Sequence, residues 1–314
     1  MVPSMRIASF VLRLSCTAVL SFAMGACTAG ADDAAADQSS AINEANGNAP
    51  REGTRVRLIA GNLTSGNLQS YDPGEGIRLL KGLHGDVAML QEMNYGSNSQ
   101  SDLDSFVSQA FDAGFTYTVE SGRAQIPNGI VSRWPIVESG TWPDPQVSNR
   151  SFQWARIDIP GDKDLWAVSV HLLTSSAANR NAEARSLVAR LKTAVPASDY
   201  LVIGGDFNTG NRNEGCLQTF GQLTRTTGPW PVDTNNIGGT NASRKKPLDW
   251  VIVDPDLDAI EVPVQIGTRS FANGFVLDSR TFPDLPAIAP VRKNDSGASS
   301  MQHMAVVRDF VLPE

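Results

Sequence analysis

The chain has 314 residues, with 26 basic and 33 acidic side chains and a formal net charge of −7 at pH 7. That balance excludes a protein that grips nucleic acid by bulk electrostatics, though not an enzyme whose basic residues line only a groove. Of the cysteines, Cys16 and Cys27 lie near the N-terminus and only Cys216 lies further on, so an internal disulfide framework is excluded and the fold must rely on its core.

The first element is not a folded one. Residues 1–26 place Arg6 and Arg13 before an apolar stretch that ends in small residues, the layout of an export signal. The apolar part between Arg13 and Cys27 is shorter than the about 20 residues that a spanning helix needs. Met24-Gly25-Ala26-Cys27 resembles a bacterial lipobox, in which the cysteine is acylated and becomes the mature N-terminus. The alternative is an ordinary signal cut near Ala26 that releases a secreted protein. Residues 27–50 are rich in Ala, Asp, Asn and Ser and hold almost no large apolar residues. They cannot bury enough surface to offset their ordering entropy, and read as a disordered tether. The expected destination is therefore the outer membrane or cell surface, through a lipid on Cys27, or the exterior. Residues 51–314 show no repeat and no second linker, and are expected to form one domain. Within it, Cys216 is expected to be a small buried residue.

The elements of that domain follow in chain order. Val56–Ala60 reads as a strand that ends in Gly61 and Asn62, and Val87–Leu90 as a buried strand that ends in Gln91 and Glu92. "GIVSRWPIVESG" reads as strand, turn, strand. "FQWARIDIPG" and "DLWAVSVHLLTSS" are two strands that can pair through Pro160-Gly161, the second ending at His171. "NAEARSLVARLK" is a helix with Leu187 and Leu191 on one side. In "LVIGGDFNTG" a short apolar strand is followed by Gly204 and Gly205, which let another group come close to the backbone. Period-two alternation then sends Asp206 and Asn208 to one face, with a plain turn as the other reading. "KKPLDWVIVDP" is a strand beginning at Asp249, and "MQHMAVVRDFVL" a last strand beginning at His303.

Five strands thus carry polar residues at one end: Asn62, Glu92, His171, Asp206 with Asn208, and Asp249; His303 makes a sixth. Taken singly each is ordinary, and His84 in "GLHGD" is read as structural. Together, acids, amides and two histidines at strand ends are what sheet proteins use to build sites.

"LQEMNYG", "VSVHLL", "GGDFN", "PLDWVIV" and "QHMAVV" stand in the order seen in the endonuclease/exonuclease/phosphatase superfamily, whose fold resembles pancreatic deoxyribonuclease. The resemblance covers essentially all of 51–314. It implies a four-layer α/β sandwich of two packed, mostly antiparallel sheets flanked by helices, with a cleft at one edge. It also implies metal-assisted hydrolysis of a phosphate ester. Glu92, helped by Asn62, would hold Mg²⁺ or Mn²⁺. Asp206 would orient or deprotonate the attacking water, and Asn208 would donate to the phosphoryl oxygen where charge develops. Asp249 would fix the ring of His303 and favour its protonated form, with His171 as a second donor or acid. Arg150 in "SNRSFQWAR" is a candidate phosphate fork, or else a member of a surface salt bridge.

Two departures from the family pattern remove negative charge. Met301-Gln302-His303 stands where Ser-Asp-His is usual, and Gln153 stands where a Glu usually partners the first histidine. They imply weaker metal binding, or a ligand supplied from elsewhere, for which Asp295 in "RKNDSGASS" is the candidate. The leading expectation is an exported metal-dependent phosphodiesterase, an endonuclease acting on DNA or on RNA. The alternatives are a lipid or inositol phosphate hydrolase of sphingomyelinase type, for which "TWPDPQ" and "TGPWPVD" are weak docking candidates, and a non-catalytic surface lipoprotein. Against the last stand Asp206, Asn208, Asp249 and His303. No protein partner is expected, and the protein is expected to be a monomer.

Overall fold

The computed structural model describes residues 53–65, 74–120, 124–299 and 301–313. The export signal, Cys27 and the tether expected over 27–50 lie outside the described residues. In chain order the elements are β1 (Thr54–Asn62), α1 (Glu75–Leu83), β2 (Val87–Gln91), α2 (Gln100–Ala110), β3 (Thr116–Val119), β4 (Gly129–Ser132), β5 (Ile136–Pro143), β6 (Ser151–Ile157) and β7 (Leu165–His171). Then come α3 (Ala177–Ala194), β8 (Tyr200–Asp206), α4 (Gly215–Phe220), β9 (Asp249–Val253) and α5 (Pro255–Asp258). The short strands β10 (Glu261–Val262), β11 (Val264–Ile266), β12 (Arg269–Phe271) and β13 (Phe275–Val276) precede the final β14 (Val306–Leu312).

Two mixed sheets carry the fold. One runs β10-β14-β1-β2-β4-β3, with β13 also paired to β14, and the other runs β5-β6-β7-β8-β9. In β1, Leu58 and Ala60 face the second sheet while Ile59 packs under the helices α1 and α2. In β8, Val202 faces the first sheet while Leu201 and Ile203 pack under α3 and α4. A strand buried on both faces reads as a continuous apolar run, because neither side needs to be polar. The result is helix, sheet, sheet, helix, the expected four-layer sandwich.

Two parallel pairings place the site. β1 pairs parallel with β2 through α1, and β7 pairs parallel with β8 through α3. Parallel neighbours end on the same side, so Asn62 lies level with Gln91, and His171 level with Asp206. The antiparallel β9 starts where β8 ends, which sets Asp249 level with Asp206.

The two glycines of β8 serve the contact between the sheets. A Cβ on Gly204 would lie 2.6 Å from Met89 Cε. One on Gly205, at φ 138°, would lie 2.1 Å from Val170 O and 2.6 Å from Gln91 Nε2. Gln91 donates through Nε2 to Ser169 Oγ at 2.9 Å, and Ser169 Oγ donates to Leu90 O at 2.8 Å. That buried clamp ties β2 to β7 directly beneath the site.

Three expectations need correcting. The last strand begins at Val306, and His303 makes only an isolated bridge with Asn241 in the loop before it. The helix begins at Ala177, four residues early, because Ser176 caps it by accepting from the Asn179 N–H at 3.3 Å. β8 ends at Asp206, so Asn208 reaches its neighbour by a turn with φ 51°, not by strand alternation. Cys216 is buried and unpaired, packed in the core under α3 and α4.

Candidate active site

Asp206 is the hub. Its Oδ1 accepts from the Asn208 N–H at 2.8 Å, which fixes the carboxylate plane. Its Oδ2 accepts from Asn62 Nδ2 at 3.1 Å and from Asn208 Nδ2 at 3.3 Å. His171 Nε2 lies 3.4 Å from the same oxygen and His303 Nε2 lies 3.7 Å from it. Four side chains, from two strand ends and two loops, therefore aim nitrogens at one point. Asn62 Nδ2 also donates to Glu92 Oε1 at 3.2 Å, so one amide is shared by two carboxylates. Glu92 sits just past β2 at φ 55°, a left-handed conformation that turns it out of the strand line.

The two histidines are held in opposite states. His303 Nδ1 sits between both Asp249 oxygens, at 3.0 and 3.2 Å. Burial pushes its pKa down, but the Asp249 and Asp206 carboxylates outweigh that effect and hold the ring at about 10. Asp249 is itself set by its backbone N–H, which donates to Thr240 Oγ1 at 2.8 Å. His171 is pushed well below its ordinary pKa, first by burial and then by the Arg150 and His303 charges. Among the described residues its Nδ1 has no partner. Burial raises Asp206 to about 6, against the pull of the His303 charge. The site thus offers a charged donor at His303 and a neutral imidazole at His171, two roles set by environment.

The other expected residues lie as follows. Arg150 is buried, and its Nε and Nη2 donate to the backbone carbonyls of His171 and Leu172, the latter at 2.9 Å. It is neither a surface ion pair nor an open phosphate fork but a brace under the end of β7. Gln153 is buried between Thr118 and Thr141, accepting from one at 2.8 Å and donating to the other at 2.8 Å, and does not partner His171. Asp295 is paired bidentately with Arg78 at 2.7 and 3.0 Å and accepts the Arg292 N–H, so it is not the missing metal ligand. Gln302 is exposed and lines a cleft with Asn208, Lys246 and His303. Lys246 and Thr240 are site neighbours that carried no signal of their own in the sequence.

The oxygen-rich corner fits a hard divalent cation. Glu92 and Asp206 are two carboxylates facing the Asn62 amide nitrogen, while Asn62 Oδ1 accepts the Thr64 N–H at 2.8 Å and keeps a second lone pair for a cation. Asp206, Asp249 and His303 also bring ligand atoms within 4.8 Å of one another. Asp249 and His303 are bound to each other, however, and a protonated ring cannot ligate. An all-oxygen set at Glu92 and Asn62 suits Mg²⁺ or Mn²⁺ better than a site built on that histidine.

Two packed mixed sheets between helices, with this constellation across their ends, define an α/β phosphoesterase. The sequence matches the Endonuclease/Exonuclease/phosphatase family over residues 49–271, and the chain belongs to that family. Its members are phosphoester hydrolases. Among solved structures, the endonuclease/exonuclease/phosphatase from Bacteroides vulgatus is similar at 16% identity and a TM-score of 0.57, over 82% of this chain and 99% of that one. A family protein from Bacteroides thetaiotaomicron gives 13% identity and 0.57, over 84% and 100%. Sphingomyelinase C from Streptomyces griseocarneus gives 14% and 0.53, over 82% and 99%. At these identities the likeness is one of fold. No curated protein matches the sequence.

Proposed function

We propose that the protein is an exported, divalent-metal-dependent phosphodiesterase that cuts nucleic acid internally, with DNA as its first substrate. The observation that carries this reading is the convergence of Asn62, Asn208, His171 and His303 on Asp206 Oδ2. A phosphodiester drawn in beside Asp206 meets those same donors, so they are already oriented where charge develops. Asp206, aligned by the Asn208 N–H, orients the water and takes its proton. Asp249 occupies His303 Nδ1, so the proton on Nε2 is directed into the site and held there as charge. His171 adds a neutral donor, and Arg150 keeps the end of β7 in place. When bound at Glu92 and Asn62, a divalent ion neutralises phosphoryl charge and stabilises the leaving oxygen. Export, with a lipid on Cys27 holding the enzyme at the cell surface, rests on the pattern of residues 1–50.

The solved neighbour named sphingomyelinase C suggests a second reading, a phospholipid headgroup as substrate. Among the described residues only Val137 and Ile237 are exposed large apolar side chains, 48% and 39%. Two scattered side chains do not make a membrane-docking patch, which favours a water-soluble polymer. A substrate panel with and without chelator separates the readings. Plasmid DNA, RNA, bis- and mono-nitrophenyl phosphate and sphingomyelin are each offered to the purified protein. Plasmid nicking and diester cleavage, both stopped by chelator, are expected. Turnover of sphingomyelin or the monoester alone would move the assignment to the second reading.

A further inference from the structure

Behind the catalytic pair lies a second cavity, of about 270 Å³, near the lower end of ligand-pocket volumes. It is lined by residues of β9 and β14 and by the loop that carries Trp230. The segment around residues 246–249 is its wall. Pro247 and Asp249 line this cavity, whereas Lys246 and Leu248 line the substrate-side cleft. The two spaces have different linings and share this segment as their wall.

Its lining mixes polar groups with the aromatic and apolar side chains of Trp230, Trp250, Pro229, Val276 and Val306. Its acids are all committed to partners other than Arg212. Arg308 is bound to Glu261 at 2.6 Å and to Asp258 at 3.0 Å, and Arg225 lies 3.6 Å from Asp258. The Asp249 carboxylate is committed to His303. That leaves Arg212. Among the described residues no carboxylate pairs with it; its Nη2 donates to Gly238 O at 2.8 Å, and its buried Nε has no partner. The guanidinium carbon lies 4.8 Å from the centre of the Trp230 ring. Gly238 is required for that placement, since a Cβ there would lie 2.3 Å from Arg212 Nη2. Burial without an acid pushes the Arg212 pKa down, the signature of a cation whose counter-charge is missing. An unsatisfied donor on a partly desolvated guanidinium is costly to the folded protein unless a ligand takes it up.

We propose that this cavity is a binding site for a small organic anion with a flat aromatic body, its acid group on Arg212 and its ring against the tryptophan walls. Flat rings pack well on such walls, and a carboxylate or phosphate matches the guanidinium fork. The site does not depend on the substrate assignment, and its test does not read activity. Calorimetric titration of the whole protein with 2-naphthoate, and with the neutral 2-naphthalenemethanol, measures the contribution of the charge. Saturable binding is expected, with naphthoate at least about tenfold tighter, the scale of one charge-assisted contact. Arg212→Gln is expected to abolish that preference while the alcohol binds as before. Asn273→Trp, at a partly exposed lining position, is expected to block both ligands with the thermal transition unchanged. Absence of saturable binding would overturn the proposal. So would an anion preference that survives in Arg212→Gln, or wild-type binding by Asn273→Trp.

Discussion

Asp249→Asn changes one charge and almost no volume, and it acts on the protonation state of His303. Asparagine still offers Nδ1 an acceptor, but it removes the carboxylate at 3.0 Å and leaves Asp206, 3.7 Å from Nε2, with a smaller contribution from Glu92. In the native site the ring stays at about 10, so nearly all of it is protonated at pH 8. With Asp249 neutral, burial, the largest single influence, is opposed only by Asp206 and Glu92, and the pKa is expected to fall to the ordinary ~6.5 or below. At pH 8 the protonated fraction then drops to about 3%, a loss of roughly thirtyfold in turnover, or ~2 kcal/mol of barrier. The assay is kcat for bis-p-nitrophenyl phosphate at saturating Mg²⁺ from pH 6 to 9.5, with circular dichroism as a check on folding. The variant should lose activity about tenfold per pH unit on its alkaline limb and recover towards pH 6, while the wild type stays flat towards pH 9.5. An equal loss at pH 6 and pH 9 would refute the reasoning and make Asp249 a prop for the ring.

Three further outcomes are expected. Gly205→Ala should lower the melting temperature clearly, because φ 138° and a Cβ 2.1 Å from Val170 O combine strain with overpacking, each about 1–3 kcal/mol; an unchanged melting temperature would contradict the close sheet contact. Burial, then the neighbouring Asp144, raises Glu183 to about 8, so its contribution is complete below the unfolded value of 4.5 and lost as pH rises through 8. Glu183→Gln should therefore flatten the decline of stability between about pH 4.5 and 8 in urea titrations; a slope like that of the wild type would mean the carboxyl is ionised in the fold. Gln302→Asp, at the cleft beside His303, should lower the metal concentration for half-maximal activity, because a carboxylate adds charge that an amide lacks; an unchanged or higher midpoint would leave the metal to Glu92 and Asn62 alone.

Much of the site was legible because its residues terminate strands buried on both faces. The runs before Asn62, Glu92, His171 and Asp206 are apolar and short, and each stops where the chain reaches the cleft. What stayed hidden depends on contacts between distant parts of the chain. Nothing near Asp295 announces Arg78, 217 residues away, and nothing near Arg150 announces that two backbone carbonyls will take its donors. The Gln91–Ser169 clamp and the Thr240 support of Asp249 are equally non-local. The small strands β10 to β13 are two or three residues long, too short for any periodicity. Asn208 reached its expected neighbour by a left-handed turn, because hydrogen bonds to Asp206 reward that conformation in an Asn.

The proposed metal-dependent hydrolysis of a phosphodiester depends on Asp206 and the nitrogen donors that converge on it. Turnover of plasmid DNA and of bis-p-nitrophenyl phosphate by the wild type and Asp206→Ala, each with Mg²⁺ and with chelator, measures it most directly. The wild type should nick plasmid and cleave the diester only with metal, and Asp206→Ala should remain folded but lose at least about a hundredfold in kcat on both substrates. Chelator-resistant turnover by the wild type, or near-native turnover by folded Asp206→Ala, would contradict the account.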